Sequence, residues 1–174
     1  MNRHDFPLNI RHNRTITMPA PHFVTRVLTS GLTGTVMSSA AVLLLSARRD
    51  GHPWRGLNCT AHWLHGDEAA DFGRCDLAHT ATGFATNLGA TFFWAVFYEA
   101  ALGANPSWLR FAGVTAALGP VSAIVDYRAT PKRLTPGWEL IFGKREMTTI
   151  YGALVLGMAA GSGLVRCCGR KNCG

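Results

Sequence analysis

The chain has 174 residues, enough for one domain, and Lys and Arg outnumber Asp and Glu to give a formal net charge of +7. A basic balance raises nucleic acid as a partner, but here the basic residues sit in connecting segments and at the edges of apolar runs. Phospholipid headgroups and the charge bias of membrane topology account for that placement, so no nucleic-acid partner is expected.

Residues 1 to 22 are polar and basic, with Arg3, His4, Arg11, His12 and Arg14 and no apolar core. This is not signal-peptide grammar, and a disordered lead is expected, with Met18 as an alternative start. The first charge-free run, Val27 to Ala47, ends on Arg48-Arg49 and matches the roughly 20 residues that cross a hydrocarbon core. Ser30, Gly34 and Ser38 recur along it at four-residue spacing, a small-residue stripe suited to close helix packing. The second run, Leu77 to Tyr98, closes on Phe92, Phe93, Trp94, Phe97 and Tyr98, with His79 at its start, Asn87 near its middle and Glu99 just beyond. The third crosses only if it extends over residues 107 to 125, with Arg110 snorkelling, Trp108 at the interface and Gly119-Pro120 as a kink. The fourth, Met147 to Val165, contains Gly157-Met-Ala-Ala-Gly161, a motif for close packing inside the chain or between protomers.

The expected architecture is an all-α membrane protein, a four-transmembrane-helix bundle with short interfacial helices in loops 1 and 3. Its spans cover about 27–47, 77–98, 107–125 and 147–165 within a membrane domain of residues 23–165, followed by a basic, Cys-containing tail at 166–174. Four spans put the two long loops on one face. Nine basic residues near the span ends belong to those loops, Arg48, Arg49, Arg55, Arg74, Arg128, Lys132, Arg133, Lys144 and Arg145. Six belong to the other side, Arg14, Arg26, Arg110, Arg166, Arg170 and Lys171. The balance leans to a cytoplasmic location for loops 1 and 3.

Loop 1 carries Leu57, Ala61 and Leu64 along one edge of a short helix, with His62 and His65 sharing a face and Asp67 and Glu68 beyond Gly66. Imidazoles beside carboxylates are a ligand set for Zn or non-haem Fe, so His62, His65, Asp67 and His79 are the candidate metal residues. Interfacial anchoring is the preferred reading of the same residues, and it requires no cofactor. Asn58-Cys-Thr60 matches a glycosylation sequon and is read as chance. In loop 3, Thr135 is an expected N-cap, with Trp138, Leu140, Ile141 and Phe142 laid on the interface. By topology, Glu68, Asp126, Lys132, Arg133 and Glu139 join the histidines on one polar face, and Glu99 falls on the other side.

The cysteines form no CxxC pair. Cys167, Cys168 and Cys173 read as free tail thiols, and an oxidised Cys59–Cys75 pair would need an oxidising compartment.

The segments His62-Trp-Leu-His-Gly-Asp-Glu-Ala69, Phe93-Trp-Ala-Val-Phe-Tyr-Glu99 and Val125-Asp-Tyr with Pro131-Lys-Arg-Leu-Thr-Pro-Gly137 resemble a family of small four-span bacterial inner-membrane proteins. The resemblance covers most of residues 24 to 163 and implies topology and a bacterial inner membrane, with no activity attached. Relatives carry a His pair where this sequence has Thr86-Asn87, which speaks against an intramembrane His-ligated haem or metal.

No Walker loop, GxSxG or HExxH occurs. The leading expectation is therefore a non-enzymatic membrane protein whose loop 1/loop 3 face meets lipid headgroups, a membrane-protein partner or a second copy. A small metalloprotein or enzyme using His62, His65 and His79 is the first alternative. A transporter component is the second, with Asn87 as its only strongly polar mid-span residue.

Overall fold

A computed structural model describes residues 22–171, with side chains to residue 168; the expected N-terminal lead up to residue 21 and Cys173 lie outside the described residues. Among these residues every regular element is helical. Four long helices, α1 (Phe23–Asp50), α2 (Thr82–Leu102), α3 (Trp108–Ile124) and α4 (Lys144–Lys171), carry the fold. A π-helical turn at Leu77–Ala81 leads into α2, and another at Val125–Ala129 continues α3.

The helix ends follow from local chemistry. The N–H of Gly51, in the left-handed region at φ 78°, closes α1 on the carbonyl of Ala47, and Arg48 and Arg49 sit in its last turn, where the dipole favours cations. Ser107 caps α3 by accepting from the backbone N–H of Arg110 at 3.2 Å. Pro120 lies inside α3, and the helix continues through it.

The closest pairing is α1 against α4, backbone to backbone. A Cβ on Gly157 would fall 2.5 Å from the carbonyl oxygen of Thr33, and one on Gly161 would overlap the Thr33 hydroxyl. Across the seam, a Cβ on Gly34 would already lie 2.9 Å from Met158. The small-residue stripe of the first run and the GxxxG of the fourth therefore meet each other within one chain. Where lipid supplies no hydrophobic driving force between helices, such close approach maximises dispersion contacts.

Three helices, Phe23–Asp50, Trp108–Ala129 and Lys144–Cys168, are long and apolar enough to cross a membrane. This fits a multi-pass membrane protein and narrows the four-span expectation. α2 is long enough but is diluted by Asn87, Glu99 and its threonines. Those polar groups are turned inward: Asn87 Nδ2 donates to the hydroxyls of Ser38 (3.2 Å) and Ser39 (3.0 Å) on α1. Outward, Leu28, Leu32, Val36 and Leu44 of α1 and Phe93, Val96 and Phe97 of α2 are exposed.

The loops depart from the expected interfacial helices. Residues 55 to 71 form broken helical turns, in which Leu57 and Ala61 are buried and Leu64 is exposed. In loop 3, Trp138, Ile141 and Phe142 enter the core with Val42, Ile150 and Tyr151, while Leu140, the fourth residue expected at the interface, is exposed, as is Leu134. The cause is Gly137. Its φ of 76° makes a turn few other residues adopt, and a Cβ there would strike the carbonyl oxygen of Cys59 at 2.6 Å. The chain is thus pressed onto loop 1 and its aromatic residues are aimed into the bundle.

Candidate functional site

Loops 1 and 3 pack into one cap over the bundle. Asn58, fully buried, donates from Nδ2 to the carbonyls of Phe72 (2.7 Å) and Arg74 (3.0 Å) and accepts from the Thr80 hydroxyl (2.7 Å). The amide of the sequon is therefore spent inside loop 1. Trp63 Nε1 donates to the Thr86 hydroxyl at 3.0 Å, tying the loop to α2.

His62 joins the two loops. Its Nε2 lies 2.9 Å from the carbonyl oxygen of Thr135 and therefore carries the proton, while Nδ1 lies 3.4 Å from Asp67. Arg133 reaches back from loop 3, donating from Nε to the carbonyl of Trp63 at 3.1 Å, and the Thr135 hydroxyl meets Glu139 Oε1 at 2.6 Å. Glu68 and Lys132 are exposed on the same cap.

The candidate metal residues divide into two groups. His62 and Asp67 form one contact, and His65 and His79 form another, with ring centres 4.6 Å apart. Asp76, absent from the sequence-based set, belongs with the second group: its carboxylate lies 3.0 and 3.1 Å from His79 Nδ1, and Phe72 stacks on the same ring. The backbone N–H of His79 donates to Asp76 and, with the neighbouring imidazole, holds its carboxyl below the ordinary range. His65 Nε2 is buried without a hydrogen-bond partner among the described residues. No group of three or more His, Cys, Asp or Glu arranged to hold a metal occurs among the described residues.

Asp126 shares no hydrogen bond or ion pair with the histidines among the described residues. It accepts from the Tyr151 hydroxyl at 2.6 Å and borders a cavity of about 80 Å³ between the helices and loop 3, with Asn87, Thr91, Thr135 and Trp138 on its wall. Cys59 is buried and free, and desolvation pushes its thiol up; Cys75 is free and exposed. The two form no disulfide.

The far end of the bundle holds the group that the sequence reading set apart. Glu99 is fully buried, and its Oε2 accepts from Arg26 Nε of α1 at 3.2 Å and from Arg166 Nη2 of α4 at 2.8 Å. Arg166 also donates to the carbonyls of Ala104 (2.6 Å) and Gly103 (3.1 Å), and Arg110 Nε to that of Ala101 (2.8 Å). Guanidinium groups thus satisfy the carbonyls at the C-terminal end of α2, where its dipole is negative. The signal was present in the sequence. One carboxylate and two arginines, each at the edge of an apolar run, fall on the same side of any four-span topology.

Comparison with protein-family models, curated proteins and solved structures finds no match to this chain.

Proposed function

We propose that this is a four-span protein of the bacterial inner membrane, without catalytic activity of its own, whose loops 1 and 3 form a rigid cap. The cap presents a basic polar surface to anionic headgroups and to a membrane-protein partner. The observation that carries this reading is the pair of cross-loop bonds, His62 to Thr135 and Arg133 to Trp63. They lock two segments far apart in sequence into one surface, with exposed Lys132, Arg133 and Glu68 on it. The fourth crossing is supported by the inward satisfaction of Asn87 and Glu99, which leaves the apolar side chains of α2 for lipid. Reporter fusions in loop 1, in the turn at residues 103–107 and in loop 3 test it. Loops 1 and 3 should report the cytoplasm and the short turn the opposite side; the same signal from loop 1 and the turn would remove α2 as a span.

A second reading, a small metalloprotein, is favoured by one arrangement. Asp76 bonds His79 Nδ1 and leaves its Nε2 free as a ligand, on a ring centred 4.6 Å from that of His65, whose Nε2 is unpartnered among the described residues. Zn or Fe are the candidate ions. Elemental analysis of the purified protein tests it, and a substoichiometric content of both would sink it.

A further inference from the structure

A groove lies on the flank of the molecule, lined by α3 and α4. It has a volume of about 750 Å³ and runs from Lys144 at the loop 3 end toward Trp108 at the opposite end. Its floor is made of small residues, Ala112, Ala116 and Gly119 on α3 and Gly152 on α4. A Cβ on Gly152 would meet nothing within 4 Å. α3 itself buries little, with only Leu118 and Ser122 fully inside. From Lys144 to Leu156 the α4 wall rises about 18 Å, a little more than the roughly 15 Å depth of one leaflet.

Lys144 stands at the polar mouth. It is exposed and takes part in none of the ion pairs among the described residues; the neighbouring Glu146 is already engaged by Arg49 and by the N–H of Gly143. An apolar slot at least one leaflet deep with an unpaired ammonium at its polar end matches the two parts of one molecule, an acyl chain and a phosphate headgroup.

We propose that this groove is a binding site for one anionic phospholipid, its acyl chain lying along Ala116, Gly119 and Gly152 and its phosphate held by Lys144. A second copy of the chain would fill the apolar slot but offers Lys144 no phosphate. The inference rests on the membrane residence of α3 and α4. It is separable from the topology, because failure of lipid retention would leave the reporter pattern intact.

The test is native mass spectrometry of full-length protein extracted from bilayers of equal phosphatidylglycerol and phosphatidylcholine. One retained phospholipid per chain is expected, with phosphatidylglycerol preferred by about fivefold, the value of one lysine at an anionic surface. Lys144→Gln should keep a lipid and lose the preference. Gly152→Trp, which fills open space, should lose the lipid while its circular dichroism stays helical. No retained lipid, equal retention of the two lipids, an unchanged preference in Lys144→Gln, or a dimer that Gly152→Trp dissociates would each overturn the proposal.

Discussion

Glu99 and Arg166 face each other at 2.8 Å across α2 and α4, with the carboxylate fully buried and Arg26 of α1 closing on the same oxygen. One acidic side chain therefore joins three helices at one end of the bundle. A buried pair gains little net stability over an apolar substitute, but removing one partner leaves a charge without compensation.

Glu99→Ala should accordingly destabilise the protein by about 3 to 5 kcal/mol, read as denaturant unfolding in detergent micelles. Glu99→Gln retains an acceptor for the guanidinium groups and should cost less. Equal loss in both variants would show that shape at this position matters more than charge.

Gly161→Leu should be at least as damaging as overpacking in a soluble core, about 1 to 3 kcal/mol, because α1 and α4 must separate to admit it. Cross-linking or sedimentation should show no change in oligomeric state, since the glycines face α1 of the same chain. Dissociation of an oligomer by this substitution would contradict the intramolecular seam.

Cysteine labelling should separate two thiols of loop 1. Cys59 is buried and its thiol is pushed up by desolvation, while Cys75 is exposed. With the tail cysteines replaced, a maleimide should modify Cys75 readily and Cys59 only after unfolding. Rapid labelling at Cys59 would place it outside the core.

The Asp76 carboxyl is held below its ordinary range by the His79 N–H and imidazole. A group with a depressed folded pKa stabilises above its unfolded value, about 3.9, and the contribution is lost as pH falls through the folded value. The His79 amide should therefore stay protected from hydrogen exchange at pH 5 and lose protection only as the pH falls below the ordinary carboxylate value of about 3.9. Asp76→Asn should flatten that dependence, and an unchanged profile in the variant would assign it to another group.

Helices long and apolar enough to cross a membrane were legible in the sequence because hydropathy is a local property. A charge-free run such as Val27 to Ala47 is too long for most other environments, and the runs placed the long helices within a few residues. Helix ends moved outward where charge is paired: the run ending at Tyr98 continues to Leu102 because Glu99 finds arginines rather than water. The polar-face residues also came from local patterns, whereas the partitioning of that face did not. That His65 meets His79, and that Trp138 lies in the core where the turn at Gly137 seats against Cys59, depends on contacts between segments distant in sequence.

The four apolar runs, the small-residue stripes and the basic loops are thus written in the sequence itself, because each depends on neighbours within a few turns. The sequence put Glu99, Arg26 and Arg166 on one side, but their pairing on a single carboxylate oxygen, the cap joined through His62 and the groove beside Lys144 were decided by tertiary structure. Each is made of residues more than about 60 positions apart or of faces on two different helices. No periodicity along one segment reports the charge or shape brought against it from another.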